Sequence, residues 1–251
     1  MIETAEVKPA SELVFVTAAS RLDVMSRYVC QSPCIASGRR RLVAHFNASS
    51  AAQAFNATLD GIPADAGSTW LVWVHQDVLL PGDWDERFLE SLRSAQRTMP
   101  SIAVAGVYGV ASAAANARRA GHVLDRGSPL REPAALPCVV DSLDELLFAV
   151  RADTRLKLDP ALGFDFYATD LVLQAQARGA VAVVLDAYCE HWSDTPAGGA
   201  IPDRMAERII RSGRAFESKW SHRLPLETSW LEVRTPGDVE RFVSGLRNRQ
   251  P

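Results

Sequence analysis

Residues 70–84 read WLVWVHQDVLLPGDW, and the stretch starts as a strand and ends as something else. Residues 70–74 are apolar or aromatic throughout, the pattern of a strand covered on both faces. Three polar side chains follow, His75, Gln76 and Asp77, and then Val78-Leu79-Leu80 and the turn signal Pro81-Gly82. With a side-chain period of two, His75 and Asp77 project to one side of the chain and Gln76 to the other. A carboxylate beside an imidazole at a strand end suits a divalent cation, or the diphosphate such a cation carries. A histidine simply bonded to its neighbouring aspartate accounts for the tripeptide as well.

Outward from this stretch the chain alternates. Residues 13–17 (LVFVT) and 41–46 (RLVAHF) read as strands, with a helix over 22–30 between them. Ser49 or Ser50 caps a second helix, which carries Ala52, Phe55 and Leu59 on one face and stops at Asp60-Gly61. After the opening stretch, Asp83 with Glu86 three residues on forms a capping-box signature, and Trp84, Phe88, Leu92 and Ala95 make an apolar stripe. Residues 101–107 (SIAVAGV) are a fourth strand. Strand–helix alternation of this kind implies an α/β fold with a mostly parallel, doubly wound central sheet flanked by helices.

The alternation lapses over 108–137, which are rich in Gly, Ala, Arg and Pro. It resumes with a helix over 169–178 and a buried strand over 180–185 (AVAVVL). That strand also runs out into polar groups, Cys189-Glu190-His191-Trp192-Ser193, so a second strand ends in a potential metal ligand. In open α/β sheets, ligands sit beyond the carboxyl ends of the strands. His45 and His222 lack such a context, and His122 is intermediate. The segment SDTPAGGA (193–200) is too rich in Gly and Pro for regular structure and reads as a lid over the site, with Arg204, Arg208 and Arg211 beyond it to supply charge. Helices over 202–217 and from Thr235-Pro236 close the chain as a C-terminal helical extension.

Bulk properties narrow the classes. A chain of 251 residues, 47% hydrophobic and 23% charged, is expected to fold around a substantial core. The net charge of −3 argues against non-specific nucleic-acid binding, and Arg39-Arg40-Arg41 reads as a solvated loop. No run approaches the roughly 20 apolar residues of a membrane span, and the N-terminus lacks signal-peptide character. These features predict a cytoplasmic protein, with peripheral contact at the inner membrane face left open. Cys30, Cys34, Cys138 and Cys189 are read as thiols.

Taken in order, these segments resemble a family 2 type glycosyltransferase of the GT-A fold, most closely the bacterial branch with streptomycin-biosynthesis-type domains. LVFVT resembles the nucleotide-binding strand, SSAAQAFNATL the early helix leading to Asn56, and WLVWVHQDVLLP the "DxD" strand, with His75 and Asp77 at its two acidic positions. VVDSLDELLFAVRAD resembles the segment before the acceptor region, GFDFYATDLVLQAQARG the catalytic helix, and AVAVVLDAYCEHWS the last strand with its metal-site histidine.

The resemblance implies a single GT-A (Rossmann-like) domain over 13–193, a tail over 1–12, and a lid loop and helices over 194–251 packed on the same domain. It implies an inverting transfer of sugar from a nucleotide-sugar donor to a hydroxyl of a glycan, lipid-linked or small-molecule acceptor, assisted by Mg²⁺ or Mn²⁺. Thr17, Ala18, Asn56, His75 and Asp77 would bind the donor, and Asp77 and His191 the metal. Relatives often carry an aspartate where this chain has Ala168, so the base would be Asp170 or Asp165. Reach to the acceptor favours Asp170 at the helix start, while the apolar surroundings of Asp165 favour that residue on basicity. A nucleotide-sugar-binding protein with little or no catalysis, and a metal-dependent hydrolase using His75, Asp77 and His191, are the alternatives.

Overall fold

A computed structural model describes residues 12–65, 69–112, 118–193 and 201–247. The expected lid, apart from Ser193, and the N-terminal tail over residues 1–11 lie outside these residues. Strand β1 (Glu12–Ala19) is followed by α1 (Leu22–Arg27) and a short α2 (Pro33–Ala36). Strand β2 (Arg41–Phe46), helix α3 (Ala51–Asp60) and strand β3 (Thr69–Val74) come next. The single helix expected over 22–30 thus stops at Arg27, and a 3₁₀ turn over Val29–Gln31 leads to Pro33, which restarts the helix at its first position.

A two-residue strand β4 (Val78–Leu79) precedes helix α4 (Trp84–Thr98) and strand β5 (Ile102–Gly106). Then β6 (Tyr108–Ala111), β7 (Arg119–Asp125), β8 (Ser128–Arg131), β9 (Cys138–Leu143) and β10 (Leu147–Arg151) follow, with no α-helix between them among the described residues. Helix α5 (Tyr167–Ala177) leads to β11 (Val181–Val184) and β12 (Cys189–His191). The C-terminal part holds α6 (Asp203–Lys219), a small hairpin of β13 (Leu226–Glu227) and β14 (Glu232–Val233), and α7 (Asp238–Arg247).

The main sheet has twelve strands in the order β2-β1-β3-β10-β5-β11-β9-β6-β7-β12-β4, with β8 beside β7. It is mixed, which corrects the expectation of a mostly parallel sheet. β1 runs parallel to β2 and β3, β5 to β11, and β7 to β12. β10 enters antiparallel between β3 and β5, and β9, β6, β7 and β8 pair antiparallel in turn. The cause lies in the connections: successive strands joined without a crossover helix must reverse direction.

β1 and β3 are covered on both faces, as their apolar runs require. Val14, Val16, Leu71 and Trp73 pack with Phe55 and Leu59 of α3 and with residues of α5, α6 and α7. Leu13, Phe15, Trp70 and Val72 pack on the opposite side with Trp84, Phe88 and Leu92 of α4. Ser50 caps α3, its hydroxyl accepting from the Gln53 N–H at 3.1 Å. The capping box expected on α4 does not form. Asp83 accepts instead from Arg87 Nε at 2.8 Å, and Glu86 pairs with Arg39 at 2.7 Å. Asp85, fully buried, is clamped by Arg39 and Arg40 at 2.7 Å each, so two of the three arginines expected in a solvated loop bolt α4 to the sheet edge.

Candidate functional site

Three parallel strands, β2, β1 and β3, end side by side, and a cavity of about 380 Å³ opens at their carboxyl ends. Ala18 at the end of β1 and Ser20 just after it, Asn47 after β2, Trp73 in β3, and His75 and Asp77 after β3 line it, with Tyr167 and Arg208 facing them. At the end of β3 the His75 N–H donates to the carbonyl of Leu146 at 3.0 Å, and Val78 N–H returns to the His75 carbonyl at 3.2 Å. This bend separates β4 from β3. Gln76 turns toward β1, where its side-chain carbonyl accepts from the N–H groups of Ser20 and Arg21 at 3.1 and 3.0 Å. His75 and Asp77 come together with His191, but through this turn rather than through the strand period expected of them, and Gln76 lines the same cavity.

Strand β12 completes the cluster. It lies between β4 and β7, placing His191 opposite Val78 and Asp125. His191 Nε2 is 3.5 Å from Asp77 Oδ1, and its Nδ1 is 2.8 Å from Asp125 Oδ1. The His75 and His191 rings meet edge to face with centroids 5.8 Å apart, and His75 Nε2 is 3.0 Å from the Tyr167 hydroxyl. His75, Asp77 and His191 each offer one ligating atom, all within 4.8 Å of one another. Two imidazoles and a carboxylate suit a divalent transition-metal cation, and Asp125 on the far nitrogen of His191 is the usual orienting partner of a ligand histidine.

The electrostatics are those of a charge-coupled group. Burial opposes protonation of His191, but its bonds to Asp125 and Asp77 outweigh burial and push the imidazole up to about 9. Burial likewise works against the Asp77 carboxylate, yet His191 and His75 hold it below the usual range. The bond from His191 lowers Asp125 as well. Burial pushes His75 down, favouring the neutral imidazole that a metal needs.

Other expected site residues fall elsewhere. Ala18 lines the cavity, but Thr17 is fully buried, and its Oγ1 has no hydrogen-bond partner among the described residues. Asn56 does not reach the cavity; its side-chain amide and carbonyl both bond the backbone of Leu158 at 2.9 Å. Asp170 is also wrongly placed for a base at the mouth of the site. It is fully buried and bonded to Lys219 Nζ at 2.8 Å, Trp220 Nε1 at 2.8 Å and Gln174 Nε2 at 2.7 Å. Asp165 lies behind the cavity wall, gripped by Arg208 at 3.1 and 3.0 Å and by Ser212 at 3.1 Å. Burial still raises its carboxyl above the usual range despite Arg208.

His122 stacks on Tyr188 away from the cluster, and His45 bonds Thr58 at 2.8 Å. The four cysteines are free thiols. Sequence reasoning missed Asp125 and Tyr167. The register of β7 against β12 brings Asp125 in, and nothing in local periodicity encodes that pairing.

No family model matches the chain. A curated protein from Fuscovulum blasticum, described as "ATP synthase subunits region ORF 6", is 27% identical over 183 residues, covering 66% of this chain and 70% of that protein. Among solved structures, the crystal structure of A197 from STIV covers 70% of this chain and is covered over 82% of its own length, at 11% identity and a TM-score of 0.41. At that score the likeness carries no argument. No helix among the described residues is long and apolar enough to cross a membrane.

Proposed function

We propose that the protein binds a nucleotide-sugar donor together with a divalent cation and transfers the sugar to an acceptor hydroxyl with inversion, as a glycosyltransferase of the GT-A kind. One observation carries the reading. His75, Asp77 and His191 converge, and the first two line a cavity at the carboxyl ends of β2, β1 and β3, where α/β sheets bind ligands. His75, Asp77 and His191 would hold a divalent cation, which would supply Lewis-acid neutralisation to a leaving diphosphate. The two imidazoles favour Mn²⁺ over Mg²⁺ in such a donor set.

The remaining work falls to the chain's own groups. Asp125 fixes the His191 ring so that Nε2 faces Asp77. Arg208, on the cavity wall, places a guanidinium where donor phosphates would lie and is steadied by Asp165. Trp73 and Tyr167 give the floor an aromatic surface that excludes water. A second reading, donor binding with little turnover, is favoured by Ala168 and by the ion pair with Lys219 that occupies the buried Asp170.

Incubation with UDP-, GDP- and dTDP-hexoses and Mn²⁺ separates the two. Release of a nucleoside diphosphate from one donor, abolished by EDTA and by Asp77→Ala, is expected. Metal-dependent binding without release from any donor would favour the second reading.

A further inference from the structure

Helix α4 shows the sheet an apolar stripe and carries a second, polar surface. Arg87, Glu90, Ser91, Arg93, Ser94 and Arg97 face a groove of about 650 Å³. Its other wall is built from His122 of β7, Pro137 before β9, and Asp186 and Tyr188 between β11 and β12. The groove shares no lining residue with the cavity at the strand ends. Its size falls within the roughly 300–1,000 Å³ of small-molecule sites.

The polar groups left over in this groove are mostly donors. Arg93 has no hydrogen bond or ion pair among the described residues, and Arg97 bonds Ser94 Oγ at 3.0 Å but no carboxylate. Four residues apart, the two rise from one face of α4. The helix dipole accounts for a cation in the last turn, Arg97, but not for Arg93 a turn earlier. Two hydroxyls stand beside them with an acceptor site already used. Ser94 Oγ accepts from Arg97, and Ser91 Oγ accepts from the Asp186 N–H at 3.0 Å. Each keeps its own proton to donate. Arg87 is occupied by Asp83 at 2.8 Å, and Asp186 is turned to His122 Nε2 at 3.5 Å. Glu90 is then the one carboxylate of the lining without a cation partner among the described residues.

A ligand that answers this set brings acceptor oxygens and negative charge. Two guanidiniums with two hydroxyl donors match a phosphate, which offers three strong acceptor oxygens. On the facing wall the His122 and Tyr188 rings stack, centroids 5.7 Å apart and planes 23° from parallel, a flat surface for the organic part of such a molecule. We propose that this groove binds a phosphate-bearing ligand, with Arg93 and Arg97 on the phosphate and Ser91 and Ser94 donating to its oxygens. The site is separate from the histidine–aspartate cluster and does not rest on the nucleotide-sugar reading. Its ligand bridges α4 and the segment that runs through Tyr188 into β12 and His191.

Calorimetric titration of inorganic pyrophosphate into the full chain tests the site, in EDTA, which removes any cation from His75, Asp77 and His191. Wild type and Asp77→Ala should bind it alike. Arg93→Gln and Arg97→Gln should each weaken binding about tenfold, the loss expected of a charge-assisted contact, and the double variant should abolish it. Both side chains are exposed, so these variants should melt as the wild type does. Glu90→Gln removes the unpaired carboxylate and should tighten binding. Flotation with phosphatidylglycerol vesicles separates the two sources of phosphate. A soluble ligand predicts pyrophosphate binding without flotation, whereas flotation that the double variant loses would assign the phosphate to a lipid headgroup. A wild type that binds neither pyrophosphate nor vesicles, or binding that the double variant leaves unchanged, would overturn the site.

Discussion

His191 stands between two carboxylates, and its proton is therefore part of what holds β12 to β4 and β7 when no metal is bound. Its folded-state value of about 9 lies above the unfolded 6.5, so the protonated form stabilises the fold fully below about 6.5. That contribution is lost as pH rises through about 9. Asp77 and Asp125 are held low, so their share has the opposite sense: it is present above the ordinary carboxylate range and lost in acid. In EDTA, melting temperature should fall between pH 6.5 and 9, and His191→Gln should remove most of that slope. Parallel slopes for the two proteins would show that His191 is not held between charges in this way.

At the scale of elements, Asp170 is a joint. It lies in the first turn of α5 and reaches Lys219 at the last residue of α6 and Trp220 just beyond, tying the two helices with a carboxylate that is itself fully buried. Removing one partner of a buried pair leaves the other uncompensated. Lys219, 32% exposed, recovers some hydration, so Asp170→Ala should cost about 3 kcal/mol rather than the upper end of the range for such pairs. Urea unfolding measures this, and UDP binding by the variant at low denaturant should match the wild type. A stable variant that has lost release of nucleoside diphosphate would return Asp170 to the chemistry.

The sequence signal at this helix start was real but ambiguous, because an aspartate in a first turn looks the same whether it faces a ligand or a neighbouring helix. Elements defined by local pattern were legible. The runs at 13–17, 41–46 and 70–74 became β1, β2 and β3, and Ser50 caps α3 as its position suggests. The antiparallel insert was not, because Gly109, Gly121 and Pro129 interrupt its strands and β8 is exposed along its length. Gly121, at φ +111°, passes so close to the Val107 carbonyl that no side chain fits, a requirement set by strand packing rather than by neighbours in sequence.

For the whole molecule, what matters is that distant segments meet at one sheet end. His75 and Asp77 follow β3, Asp125 ends β7, His191 ends β12, and Arg208 arrives from α6. The two histidines and Asp77 were readable because each ends an apolar run; Asp125 was not, since only pairing across 66 positions makes it a partner of His191. A net charge of −3 gives no general attraction for a diphosphate, so the proposed site depends on the local cluster and on Arg208. Calorimetric titration of UDP and GDP into the protein, with Mn²⁺ and then with EDTA, addresses that cluster directly. Binding of at least one of them should require the metal and should weaken at least tenfold in Asp77→Ala and in His191→Ala, both variants remaining folded. Binding that ignores EDTA and both substitutions, or no binding of either nucleotide with Mn²⁺ present, would contradict a metal-diphosphate site at His75, Asp77 and His191.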